Sequence, residues 1–212
     1  MNLFGQIHGN SIMTKPRIGI FGGTFDPPHI GHLILAMEAC HQLDLSQVLW
    51  VLTPNPPHKI GKKISSLKDR AEMVHCAIQE NDLFQFSNVD INREGPHYVL
   101  DTMLILRDQY PAEELIFLMG GDSLHDLPTW HEPKRFLRAC DKIGVMHRPG
   151  EIIDCADLEK ELPGISEFVE IIEAPLLEIS SNKIRAFAEN GKPFRYYLPE
   201  CVYKIIREKS LY

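Results

Sequence analysis

The chain has 212 residues, 44% of them hydrophobic, and its 22 Lys and Arg against 29 Asp and Glu leave a formal net charge of -7. Such a length and apolar content suit one globular unit with a sizeable core, and an acidic pI near 5.8 excludes a broad nucleic-acid surface, so any phosphate site must be local. No apolar run approaches the roughly 18 residues of a membrane span, and the five cysteines at 40, 76, 140, 155 and 201 lack paired spacing, so reduced thiols and a cytoplasmic location are expected.

Met1 to Lys15 is polar, lacks the apolar centre of a signal peptide, and reads as a loose extension. Ile18 to Phe21 reads as a buried strand, and Gly22-Gly23 follows where the backbone turns and can approach a ligand closely. Thr24 and Phe25 cross that turn, and Asp26-Pro27-Pro28 suits a helix entry. A helix from about His29 carries Leu33, Ala36, Met37 and Cys40 on one face. His29 and His32 then share one side of its first turn, beside unpaired backbone N–H groups, where phosphate binds; Gly31 keeps the approach free of a side chain.

Val48 to Leu52 reads as a second strand, and the three prolines in the loop after it hold Asn55, His58 and Lys59 inward. Ser66 with Asp69 resembles a capping box, and Leu67, Ala71, Val74 and Ile78 form the stripe of the next helix. Phe84 to Ile91 alternates as a strand does, and Tyr98 begins a helix with Val99, Met103 and Leu106 on its core face. Leu115 to Met119 is a strand that turns at Gly120-Gly121-Asp122-Ser123, with Asp122 either capping Ser123 to Asp126 or touching a ligand. Trp130, between Thr129 and His131, is either core filler or a flat ring for stacking on a heterocycle. Pro133 to Cys140 reads as a helix, Ile143 to Met146 as a strand followed by Arg148, residues near Leu158 as a short helix, and Phe168 to Ile172 as a last strand. Leu176 to Ile179 leads to Ser180 and Ser181 at the start of a helix that Gly191 ends; with Arg185 one turn on, this is a second phosphate-binding helix start. Pro199 opens a final helix to about Glu208. Strand and helix thus alternate as in an α/β doubly wound parallel sheet of about five to six strands, with helices on both faces and a small helical C-terminal part. The polar clusters share its carboxyl edge, where ligands bind.

Thr24 to His32, T-F-D-P-P-H-I-G-H, resembles the histidine signature of the nucleotidyltransferase superfamily, whose fold is Rossmann-like. A zinc reading of His29-x-x-His32 lacks further ligands at the usual spacing, and G-x-G-x-x-G does not occur. P-N-P-P-H-K at 54–59, G-G-D-S at 120–123, P-T-W at 128–130, H-R-P-G at 147–150 and I-S-S-N-K-I-R at 179–185 together resemble the nicotinate-nucleotide adenylyltransferase family, from about Arg17 to the C-terminus. The resemblance implies one nucleotidyltransferase domain over 16–212, with 180–212 its helical subdomain. It also implies transfer of the adenylyl group of ATP to nicotinate mononucleotide, with Mg2+, giving deamido-NAD and pyrophosphate. By it, His29, His32 and Arg185 are catalytic, and Gly22, Gly23, Thr24, Phe25, Asp122, Ser180, Ser181 and Ile184 join them around ATP. Asn55, His58, Lys59, Tyr98, Val99, Trp130, His131 and Arg148 serve the pyridine nucleotide. No residue ligates metal directly; Mg2+ rides on the ATP phosphates, with Asp122 reaching a metal-bound water. The implied partners are small molecules, with neither nucleic acid nor membrane, and the oligomeric state stays open. Two positions depart from the pattern: Asn182 stands where Ser or Thr is usual, and Val99 where threonine is frequent. Adenylyl transfer to nicotinamide mononucleotide or phosphopantetheine, a non-catalytic nucleotide sensor, and a metal-dependent hydrolase remain alternatives.

Overall fold

The computed structural model describes residues 15–55, 64–147, 155–175 and 177–212. Its six strands, β1 (Arg17–Gly23), β2 (Leu45–Leu52), β3 (Phe84–Ser87), β4 (Glu114–Gly120), β5 (Lys142–His147) and β6 (Val169–Glu173), form one all-parallel sheet in the order β3-β2-β1-β4-β5-β6. The chain winds outward from β1 to β3, then crosses back to lay β4 on the other side of β1, so the winding reverses between β1 and β4.

The helices are α1 (Ile30–Gln42), α2 (Leu67–Ile78), α3 (Val99–Gln109), α4 (Gly121–His125), α5 (Pro133–Ala139), α6 (Ala156–Glu161), α7 (Ser181–Glu189) and α8 (Glu200–Glu208). Alternate strand side chains point to opposite faces. Leu115 and Phe117 of β4 therefore join one apolar layer with Met103 of α3 and Phe136 of α5, while Ile116 and Leu118 join Ala36 of α1 and Val74 of α2 in the other. A third cluster packs α7 and α8 against α2 through Met73, Ile184, Phe194, Val202 and Ile206.

Two expectations need correction. The buried face of α1 is Leu35, Ala36, Ala39 and Cys40, whereas Met37 is 50% exposed. The third strand stops at Ser87 rather than Ile91, because Asp90 turns inward to accept from Thr102 Oγ1 at 2.7 Å and Arg93 Nε at 2.9 Å. The Gly120 turn also continues as the single-turn α4, and Tyr98 caps α3 instead of lying within it. Among the described residues no helix is long and apolar enough to cross a membrane, and all five cysteines are free, as expected.

Candidate functional site

β1 pairs with β4 only from Arg17 to Ile20, yet β1 stays on β2 as far as Gly23 and β4 stays on β5 as far as Gly120. Each middle strand follows its outer neighbour, so the sheet parts at its carboxyl edge. A cavity of about 660 Å3 fills the parting, floored by Ile20 to Gly23 and Phe117 to Met119 and walled by Tyr98, Val99 and Trp130. Its size falls within the roughly 300–1,000 Å3 of small-molecule sites.

The segment Thr24 to His29 borders this cavity and enters α1. Phe25 is buried with φ of 46°, a conformation uncommon for a bulky side chain. Its ring folds back so far that a Cβ on Gly23 would lie 2.8 Å from it, which is why glycine stands there. The ring also meets Phe21, Trp50 and His32 edge-on or tilted. Pro27 and Pro28 lie ahead of the helix, and His29 is its N-cap.

His29 and His32 stack with ring centroids 3.6 Å apart and planes 24° from parallel. The His29 backbone N–H donates to His32 Nδ1 at 3.1 Å, so the neutral His32 ring carries its proton on Nε2 and presents an N–H donor. His29 is 7% exposed, and burial pushes its pKa from 6.5 down to about 4. Both imidazoles therefore act as neutral donors at the positive end of α1. Gly31 serves this packing: a Cβ there would stand 3.2 Å from the His29 ring, so the glycine makes room for the histidine rather than for a ligand.

The His29 shift has a stability consequence. Because the folded pKa lies below the unfolded one, the unfolded chain binds the extra proton between about pH 4 and 6.5. The contribution is therefore complete above 6.5 and lost as pH falls toward 4, amounting to about 2 kcal/mol by pH 5 at 1.36 kcal/mol per pH unit. Thermal midpoints measured from pH 7 to 5 should fall, and His29→Asn should remove about one proton from the slope; an unchanged slope refutes the assignment.

A buried arginine organises the loops around the histidines. Arg70 of α2, only 2% exposed, donates from Nε to the Ser65 carbonyl, from Nη1 to those of Thr24 and Thr53, and from Nη2 to that of Pro54, all within 2.8–3.1 Å. It thereby ties the loop after β1 to the loop after β2. Burial lowers its pKa from the ordinary guanidinium value, and the neighbouring Asp26 opposes that shift. The Asp26 carboxylate, equally buried, accepts from the Ser65 N–H at 3.2 Å and from the Tyr212 hydroxyl at 2.6 Å. Burial, then the Asp26 charge, raises the Tyr212 pKa and keeps its proton available to donate. Tyr212 arrives because Ser210 adopts a left-handed φ of 50° and the Leu211 N–H returns to the Ile206 carbonyl, turning the chain back after α8. Lys209 meanwhile pins α8 to Asp69 and Glu72 of α2.

α7 brings the second helix start to the same loop. Ser180 caps it, accepting from the Lys183 N–H at 3.2 Å. Ser181 Oγ donates to the Pro27 carbonyl at 2.8 Å, and Arg185 Nη1 donates to the Asp26 carbonyl at 2.7 Å while Nη2 reaches Asn182 Oδ1. Asn182 thus accepts from the arginine in place of the hydroxyl residue usual there. Ile184 is 1% exposed in the third cluster, so its side chain packs the core and does not face a ligand.

On the cavity's far side Tyr98 stacks on His131, with centroids 4.0 Å apart and planes 19° from parallel. Trp130 is part core and part wall: it meets Phe117 and Phe136 and also lines the cavity. Val99 lines it too, whereas Asn55 and Asp122 are exposed and not among its lining residues. His58, Lys59, Arg148, the Leu176 lead-in and most of the Met1 to Lys15 extension lie outside the described residues. Among the described residues no group of three or more His, Cys, Asp and Glu could hold a metal ion.

Sequence reasoning missed Arg70, the Asp26 to Tyr212 contact, and the buried Asp90, His97 and Thr102. Arg70 had a readable signal: it sits three residues after Leu67 and four before Val74, inside the apolar stripe of α2.

A family model described as cytidylyltransferase-like matches residues 20–187. A protein named "Probable nicotinate-nucleotide adenylyltransferase" from Thermomicrobium roseum is 43% identical over 196 residues, 92% of this chain and 91% of that one. A protein of the same name from Desulfitobacterium hafniense (strain DSM 10664 / DCB-2) is 41% identical over 200 residues, 92% of this chain and 95% of that one. Among solved structures, Plasmodium falciparum nicotinic acid mononucleotide adenylyltransferase complexed with NaAD superposes with a TM-score of 0.77 at 19% identity, covering 92% of this chain and 97% of that one, a likeness of fold.

Proposed function

The chain belongs to the cytidylyltransferase-like family, and we propose that it transfers the adenylyl group of ATP to nicotinate mononucleotide, releasing pyrophosphate and giving deamido-NAD. The observation that carries this reading is the meeting of two helix starts at one loop. Arg185 and Ser181 of α7 hold the carbonyls of Asp26 and Pro27, directly before the stacked His29 and His32 of α1. Two sets of unpaired backbone N–H groups, two neutral imidazoles and one guanidinium thus border a cavity sized for a nucleotide. The names of the relatives at 41–43% identity agree with the choice of acceptor.

In this reading the mononucleotide phosphate attacks the α-phosphorus of ATP in line. The new P–O bond forms as the bond to the β-phosphate oxygen breaks, and the electron pair leaves with pyrophosphate. With a second pKa of about 6 the attacking phosphate is mostly dianionic, so no general base is required. What remains is to align the two substrates and to stabilise charge developing on the phosphoryl oxygens. His32 Nε2–H and His29 supply fixed donors, and Arg185 supplies positive charge once it exchanges its carbonyl partner for phosphate. Mg2+ arrives on the triphosphate, where it neutralises charge; the exposed Asp122 is the residue we assign to a water on it. Trp130 takes the pyridine ring, flanked by Tyr98, Val99 and His131, with Asn55, His58, Lys59 and Arg148 assigned to the mononucleotide. We assign the reaction to residues 16–212 acting as one domain in the cytoplasm, and the free thiols fit a reducing compartment.

Purified protein with ATP and Mg2+ should release pyrophosphate with nicotinate mononucleotide, and much more slowly with nicotinamide mononucleotide or phosphopantetheine. ATP binding without release in any arm would instead support a nucleotide sensor.

A further inference from the structure

The cavity wall contains a histidine that neither the fold nor the transfer step accounts for. His97 is 6% exposed, lines the cavity, and makes no hydrogen bond from either ring nitrogen. An unpaired buried polar group costs stability, and a second one on the same ring costs more. Nothing loose explains it, because the backbone on both sides is held. Arg93 donates from Nη1 to the Pro96 carbonyl at 3.0 Å and from Nη2 to the Tyr98 carbonyl at 3.1 Å, and is itself fixed by Asp90. The ring has a made-to-measure berth: a Cβ on Gly95 would stand 3.2 Å from its Nδ1 and Cε1.

The charge of the wall says what such a ring could read. Among the described residues that line the cavity there is no lysine or arginine; Asp90 and Asp126 are acidic, and His97 and His131 are the two side chains able to carry positive charge. His131 is exposed and stacked on Tyr98, which leaves His97 as the buried donor. The neighbouring Val99 has no hydroxyl to offer.

We infer that His97 is a specificity-determining residue, whose imidazole N–H donates to the ring carboxylate of the acceptor and so favours the acid over the amide. This rests on the adenylyl-transfer reading above. A carboxylate accepts a charge-assisted hydrogen bond from an imidazole, roughly twice as strong as a neutral one, whereas a carboxamide is neutral. The stability lost by leaving the ring unpaired in the free protein is recovered when the acceptor binds.

The test measures pyrophosphate release with nicotinate and with nicotinamide mononucleotide for the wild type, His97→Phe and His97→Gln, alongside thermal midpoints. His97→Phe is expected to keep or raise the midpoint, since it removes two unpaired buried nitrogens. It should lower kcat/KM for the acid roughly 10- to 100-fold, the range of one hydrogen bond to a charged group, with the KM for ATP unchanged. His97→Gln, which retains a donor, should recover part of the loss. An acid-to-amide ratio in His97→Phe within about twofold of the wild type overturns the inference, as does a wild type that shows no preference. Should His97→Phe fail to fold, nitrogen-15 shifts of the His97 ring in the wild type, followed while nicotinate mononucleotide is added, decide the matter: a hydrogen-bond shift supports it and an unmoved ring refutes it. Absence of release by the wild type with every acceptor would instead defeat the proposed function, a separate outcome.

Discussion

His32→Ala is expected to lower the rate of pyrophosphate release roughly 100- to 1,000-fold, the cost of removing one preorganised donor from a site where charge develops. The reason lies in how the ring is held. The His29 N–H occupies Nδ1 and fixes the tautomer, and the faces and edges of the ring are set by His29 at 3.6 Å and Phe25 at 5.2 Å. A donor so placed is ready before the reaction begins, and a replacement water would not be. The loss should fall mainly on kcat, because the interaction strengthens as negative charge builds on the phosphates. Stability should change little, since the lost ring contacts amount to about 0.5–1.5 kcal/mol each. Steady-state rates and circular dichroism of the variant check both halves. A folded variant within tenfold of the wild-type rate would remove His32 from the catalytic set.

The second large effect is on folding. Arg70→Met keeps much of the arginine's length and apolar stem but leaves four carbonyls, those of Thr24, Thr53, Pro54 and Ser65, without their donor. It also leaves the buried Asp26 without a neighbouring positive charge. Breaking such a buried arrangement by removing one partner costs about 3–5 kcal/mol, and at 2–4 °C per kcal/mol for a domain of this size the midpoint should drop on the order of 10 °C. ATP binding should weaken with it, since the released loop is the one that Arg185 and Ser181 grasp. A midpoint within about 2 °C of the wild type would show that the loops are held by something else.

The contrast between these two residues shows what a sequence discloses. The histidines announced themselves because their spacing, glycine and preceding strand make chemical sense locally. Alternation of apolar runs was likewise enough to place all six strands, since a parallel sheet buries both faces and its strands read as nearly continuous hydrophobic stretches. Arg70 stayed hidden because periodicity treats charge as outward-facing, and what pulls this one inward is a set of carbonyls from loops distant in sequence. Met37 misled for the opposite reason: an apolar residue at the right spacing was assigned to the core, although the helix lies rotated so that Leu35 and Ala39 face the sheet. His97 was passed over in favour of Tyr98 and Val99 because nothing in the residue type reveals whether an imidazole is buried or paired. The parting of β1 from β4 was beyond reach, since it depends on where two ladders stop pairing.

The bond from Tyr212 to Asp26 spans 186 positions of the chain. Synthesis proceeds from the N-terminus, and domains begin to organise as they emerge, so β1 and the loop after it are among the first parts made. Arg70 can clasp that loop early. Yet Asp26 completes its set of donors only after Tyr212 has been made, and Ser181 and Arg185 come almost as late. The most chemically loaded stretch of the nascent chain must therefore wait through nearly all of translation before its geometry is finished.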